Sequence, residues 1–182
     1  MMGGCNSIMA FASNKCHVFW VTGLAGAGKT TVGKMLYQYL KDNGYPVVFL
    51  DGDEMREVLK NSDYSREGRK KLAFQYARLG QWLYKQGFNV VTCTVSMYDE
   101  VRAWNRENIT DYKEIYLELP QEELIKRDKK GMYSAALTGK QDEVCGINLK
   151  IELPKNPDLV ISNYGSVTPE IAMQRIINEF NL

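Results

Sequence analysis

"FWVTGLAGAGKTTVGKML", residues 19–36, decides how the rest of the chain is read. An apolar run ends in glycines, reaches a lysine and two threonines, and then resumes apolar positions at helical spacing. Gly23, Gly28, Lys29 and Thr30 satisfy G-x-x-x-x-G-K-[ST], the phosphate-binding loop, a pattern that carries meaning only between a strand and a helix. Both flanks are present. His17 to Thr22 reads as a short buried strand, and Val32, Met35, Leu36 and Leu40 recur at the helix period. Gly23, Gly26 and Gly28, with Ala27 among them, let the backbone turn its N–H groups inward as an anion nest, to which the next helix adds its positive N-terminal end. Lys29 then addresses the β- and γ-phosphates of a nucleoside triphosphate, Thr30 offers a hydroxyl to magnesium, and Thr31 follows at the helix start.

Working outward, strand-like runs recur at 17–22, 47–51, 89–95, 114–119 and 159–162. Helical periodicity fills Thr31 to Asn43, Arg66 to Gln86, Gln121 to Lys126, and the chain after Ser166. This alternation predicts an α/β fold, a parallel sheet with helices on both faces. Ligands then collect at the carboxyl ends of the strands. In the long middle helix Leu72, Tyr76, Leu79 and Leu83 form an apolar stripe, the expected core face. Residues 127–157 have few apolar positions and contain Gly131, Gly139 and Gly146, which predicts a mobile lid. The expected division is a flexible extension over 1–15 and one P-loop kinase domain over 16–182.

Composition narrows the partners. With 182 residues the chain is long enough for one well-buried core. Its formal charge of +1 gives no reason to expect nucleic acid or an anionic membrane, so the expected ligands are small molecules. Cys5, Cys16, Cys93 and Cys145 are scattered, with no zinc spacing. The first fifteen residues lack the basic start and apolar run of a signal peptide, and no apolar stretch has membrane length, so a cytoplasmic location is expected.

Three further stretches are placed for chemistry. "DGDEMR", Asp51 to Arg56, ends the second strand at the edge where the phosphate loop opens. Phosphoryl transfer to an alcohol needs positioning, charge neutralisation and a group to take the hydroxyl proton. Asp53 is the candidate base and, with Thr30, the candidate magnesium ligand; Asp51 and Arg56 are candidate acceptor contacts. Taken alone, Asp-Gly is also an ordinary turn. "VSMYDEVRAWNR", 95–106, has no aspartate ending the third strand, and no N-K-x-D occurs anywhere, which argues against a switch GTPase. Ser96 and Arg102 are candidates to touch the acceptor, although Arg102 and Arg106, four apart, read equally well as a solvated helix face. "RDKKGMY", 127–133, begins the lid, and Arg127, Lys129 and Lys130 would bring positive charge over the triphosphate while excluding water.

Taken in order, "GLAGAGKTT", "DGDEMR", "YSREGR", the serine of "VSMY", "RDKKGMY" and "GINLKIELPKNPDLVI" resemble the adenylylsulfate kinases over nearly the whole chain. The resemblance implies magnesium-dependent transfer from ATP to the 3′-hydroxyl of adenylyl sulfate, usually in a homodimer. By position it implies functional roles for Asp51, Asp53, Arg56, Tyr64, Arg69, Ser96 and Lys130. Ser96 matches a serine sometimes assigned as a phosphoserine intermediate, whereas direct in-line transfer is physically simpler.

The departures are specific. Where the family reads "xENIRR" this chain reads "KKLAFQ", with Leu72, Phe74 and Gln75 at polar positions. "SPYR" has become "SMYD", placing Asp99 where an arginine is usual, and the stacking phenylalanine of "GFTGID" is Val144. Lost recognition groups discriminate strongly against the ligand they served. "WNRENI" and "LAFQ" resemble instead a branch that phosphorylates cytidine diphosphoramidate in capsular polysaccharide pathways. The expected acceptor is that nucleotide or a relative, with adenylyl sulfate as the alternative. A nucleotide sensor without an acceptor site is a third reading, disfavoured by Asp53, Arg56 and the basic lid.

Overall fold

The structure is a computed structural model describing residues 15–128, 131–140 and 142–182. The sequence candidate Lys130, its neighbour Lys129 and Cys5 lie outside those residues.

The elements run β1 (Val18–Thr22), α1 (Lys29–Asp42), β2 (Val47–Asp51), α2 (Gly52–Val58), α3 (Arg66–Lys85), β3 (Asn89–Thr94), α4 (Asp99–Asn108), β4 (Tyr112–Glu118), α5 (Gln121–Lys126), α6 (Met132–Leu137), β5 (Leu159–Ser162) and α7 (Pro169–Phe180). All strands are parallel, in the order β2-β3-β1-β4-β5. The central β1 is fully buried, which is why it reads as an unbroken apolar run rather than an alternating one.

Its pleat still sorts side chains between two cores. Phe19 and Val21 face α1 and α7, packing among Leu36, Leu40, Ile115 and Ile176. Val18 and Trp20 face α3 and α4, among Leu72, Tyr76 and Val101. Close approach is bought by small residues: a Cβ at Gly33 of α1 would lie 2.2 Å from Cys93 Sγ on β3. On α3 the buried residues are Gly68, Leu72, Ala73, Tyr76, Ala77 and Gly80, while Leu79 and Leu83 are only partly buried. The expected stripe is thus rotated toward the alanines and glycine, because small side chains let the helix lie close to Val18 and Val90.

Three helices depart from the sequence expectation. α2 buries no residue, so it leaves no apolar periodicity to read; it is started by the Asp51 carboxylate, which accepts from Asp53 N at 3.0 Å. α4 occupies the stretch where a solvated helix face was one of two readings. α6 lies inside the segment expected to be irregular, capped by Gly131 at φ 65°. β4 begins at Tyr112 and α1 at Lys29, each two residues ahead of expectation, within the ordinary uncertainty of element ends.

Candidate active site

The phosphate loop joins β1 to α1 at the centre of the sheet. A Cβ at Gly23 would meet the Leu117 carbonyl at 2.7 Å, and one at Gly28, where φ is 91°, would meet Asn163 Nδ2 at 2.6 Å. Those glycines let the loop fold against β4 and β5. Asn163, directly after β5, donates to the Ala27 carbonyl at 2.7 Å, and Tyr133 of α6 donates to the Ala25 carbonyl at 2.9 Å. Sequence reading singled out neither side chain as a brace for the loop. A polar residue at the carboxyl end of an apolar strand was the available signal for Asn163.

A cleft of about 940 Å³ opens over this loop, within the range of small-molecule sites. Gly26, Gly28, Lys29, Thr30, Thr31 and Arg127 line its central part, while Gly23 and Ala27 lie buried beneath. The Lys29 ammonium donates to the Leu24 carbonyl at 2.9 Å. Burial lowers its pKa from the usual lysine range, opposed by the nearby Asp53 and Asp51 carboxylates. Thr30 Oγ1 donates to Asp51 Oδ2 at 2.7 Å, so the loop hydroxyl and the β2 carboxylates meet at one place. These are hard oxygen donors of the kind magnesium takes. Among the described residues no group of three or more His, Cys, Asp or Glu forms a metal cluster.

Beyond β2 and β3 the same cleft is lined by Asp53, Arg56, Tyr64, Arg69 and Ser96. The Arg56 and Arg69 guanidinium carbons lie 4.4 and 5.1 Å from the Tyr64 ring centroid, so an exposed aromatic face is held in place by two cations. Arg56 also donates to Asn61 Oδ1, and Arg69 to the carbonyls of Tyr64 and Glu143. Tyr76 fastens the start of α2 by donating to the Gly52 carbonyl at 2.9 Å; its phenol is pushed up to about 12 by burial. Ser96 has φ 25°, an unusual conformation for a side-chain-bearing residue, and shares a 2.7 Å hydrogen bond with Thr94. Leu72 and Val144, two of the departures, both line the cleft.

Arg102 is a correction. It is 6% exposed and turned under α4, donating to Asp99 and to the Glu152 carbonyl at 2.6 Å, with Glu114 3.6 Å away. A buried carboxylate on β4 claims the guanidinium, and Arg102 does not line the cleft. Asp99 is likewise directed elsewhere, to Arg102 and to Lys155 at 3.1 Å, which together hold its carboxyl below the usual range. Phe74 packs against the α3 core with Arg78 over its ring. These two departures do not line the cleft.

A glycine nest on the central strand of a parallel sheet, paired carboxylates at the next strand end and one cleft joining them define a P-loop phosphotransferase. Residues 15–162 match the adenylylsulphate kinase family, and the chain belongs to that family of kinases. It is 40% identical over 169 residues to the cytidine diphosphoramidate kinase of Campylobacter jejuni, covering 93% of this chain and 99% of that one. It is 37% identical over 145 residues to a probable adenylyl-sulfate kinase of Archaeoglobus fulgidus, covering 79% and 94%. The Mycobacterium tuberculosis APS kinase CysC, solved with AMPPNP and APS, superposes with a TM-score of 0.83 at 28% identity, covering 92% and 99%. Among the described residues no helix is long and apolar enough to cross a membrane.

Proposed function

We propose that this enzyme transfers the γ-phosphoryl group of ATP to the ribose 3′-hydroxyl of a nucleotide-like acceptor, cytidine diphosphoramidate or a close relative. The observation that carries the reading is the near full-length similarity to the Campylobacter jejuni enzyme, joined to a cleft that Leu72 and Val144 both line. An apolar Leu72 leaves a polar acceptor group without a partner there, and Val144 offers no ring for a purine to stack upon. Asp99 carries no weight in this choice, since it is paired away from the cleft.

The roles follow from position. The loop N–H groups and the Lys29 ammonium hold the triphosphate and neutralise charge that grows on the transferring group. Arg127, beside Gly26, closes the nucleotide side, and Lys130, which the family resemblance singles out in the sequence, would add a further cation. Tyr64, fixed by Arg56 and Arg69, supports the acceptor base, and Ser96 lies at the same edge. Asp53 takes the proton of the acceptor hydroxyl. Thr30, Asp51 and Asp53 would hold magnesium, which supplies charge neutralisation at the phosphate oxygens. In-line transfer needs no covalent step on Ser96. A cytoplasmic homodimer completes the proposal.

The test compares kcat/KM for cytidine diphosphoramidate and adenylyl sulfate with ATP and magnesium held the same. A preference for adenylyl sulfate of about tenfold, some 1.4 kcal/mol in transition-state binding, would overturn the acceptor assignment while leaving the kinase intact.

A further inference from the structure

Arg66 opens α3 one turn before Arg69 but turns away from Tyr64. Its Nη1 donates to the Lys150 carbonyl at 2.7 Å and its Nη2 to Glu152 Oε1 at 2.6 Å. The other Glu152 oxygen caps α4 by accepting from Asp99 N at 2.6 Å. Glu152 N donates to the Met97 carbonyl at 3.2 Å, and the Glu152 carbonyl accepts from buried Arg102. The short stretch from Lys150 to Glu152 is therefore held by its backbone from α3, from the β3–α4 loop and from α4. Held this way, it sets Lys150 and Ile151 into the wall of the cleft.

The placement selects a side. With strand order β2-β3-β1-β4-β5, the phosphate loop is central, Asn163 and Arg127 stand beyond β4 and β5, and Asp53, Arg56 and Ser96 stand beyond β2 and β3. Lys150 is fastened to the β3 side, with the acceptor contacts. Its side chain is exposed, and its ammonium makes no ion pair among the described residues, whereas Glu152, two positions on, is bound to Arg66. A compact ammonium with three rotatable donors on a fixed backbone suits an oxygen of a phosphate chain.

We propose that Lys150 is a specificity-determining residue that binds the anionic chain of the acceptor, the diphosphate of a nucleoside diphosphate derivative. The inference rests on the acceptor-side reading given under Proposed function. A merely solvated surface lysine would leave acceptor affinity untouched.

The experiment is calorimetric binding of cytidine 5′-diphosphate and cytidine 5′-monophosphate to the AMPPNP-loaded enzyme, for wild type, Lys150→Ala and Lys150→Arg. The Lys150→Ala variant should weaken the diphosphate about tenfold, as loss of one charge-assisted hydrogen bond does, with a smaller effect on the monophosphate. AMPPNP affinity and Tm should not move, and Lys150→Arg should recover most of the loss. Unchanged diphosphate affinity, or equal losses for both ligands, overturns the role. If the wild type binds adenylyl sulfate and neither cytidine nucleotide, the acceptor reading fails on its own, and the same comparison between adenylyl sulfate and AMP decides Lys150.

Discussion

Thr30 Oγ1 lies 2.7 Å from Asp51 Oδ2, so the first helical turn after the phosphate loop is hydrogen-bonded to the carboxyl end of the neighbouring-but-one strand. The same aspartate caps α2 and presents Asp53 one turn into the cleft. The phosphate loop and the proposed base are thereby joined through a single carboxylate. Replacing Asp53 with Asn keeps the backbone N–H that Asp51 holds but removes basicity. Turnover should fall roughly a hundredfold or more, in the range of general-base positions, with ATP affinity largely kept. A rise in acceptor KM alone would assign Asp53 to binding and not to proton transfer.

Lys29 carries the largest expected effect. Its ammonium is held against the Leu24 carbonyl in the wall of the cleft, and in the proposed reaction it would supply charge at the site of transfer. In Lys29→Ala, kcat should fall by roughly 10²–10³ or more, while far-UV circular dichroism stays that of the wild type. Near-normal turnover at saturating ATP would sink the mechanism.

Gly28 tests the loop geometry itself. Alanine there must adopt φ 91° and press its Cβ against Asn163 Nδ2, which is occupied with the Ala27 carbonyl. The strain should cost about 1–3 kcal/mol and distort the nest. Thermal melts with and without AMPPNP should show a lower Tm and a reduced nucleotide-induced rise.

Arg102 separates a structural from a substrate role. Removing it leaves the Glu114 carboxylate, 2% exposed, without one of its two arginines. Arg102→Ala should destabilise the fold by about 3–5 kcal/mol, the usual cost of breaking a buried pair from one side. Urea unfolding measures this. A variant as stable as the wild type but with a raised acceptor KM would restore the contact expected from sequence.

His17 gives the pH dependence. It is the chain's only histidine, and burial holds its pKa below the usual 6.5. The unfolded chain takes up a proton near 6.5 while the folded one does not until lower pH. The contribution of His17 is therefore fully present above that value and is lost as pH falls through the folded pKa. Unfolding free energy should decline as pH drops below 6.5, with a shallower decline in His17→Gln. An imidazole proton titration centred at or above 6.5 in the native protein would contradict the assignment.

What the sequence determined by itself was what short-range pattern encodes. A glycine loop between an apolar run and a helical period fixes a nest on a central strand, and the alternation of runs fixes a parallel sheet with its ligands at one edge. Asp53, Arg56 and Ser96 were legible because they sit just beyond strand ends, where topology brings chain segments together, whereas Tyr64 and Arg69 came only from the resemblance to the adenylylsulfate kinases; all five line the one cleft. Only the tertiary structure decided where the side chains of α4 point. Arg102 and Asp99 are claimed by Glu114, Lys155 and the Glu152 carbonyl, partners as far as 56 residues away along the chain. α2 was hidden for a related reason, since a helix that buries nothing leaves no periodic trace and is held instead by one cap. Which cation faces a ligand and which is spent inside the fold depends on buried carboxylates and carbonyls that no local pattern records.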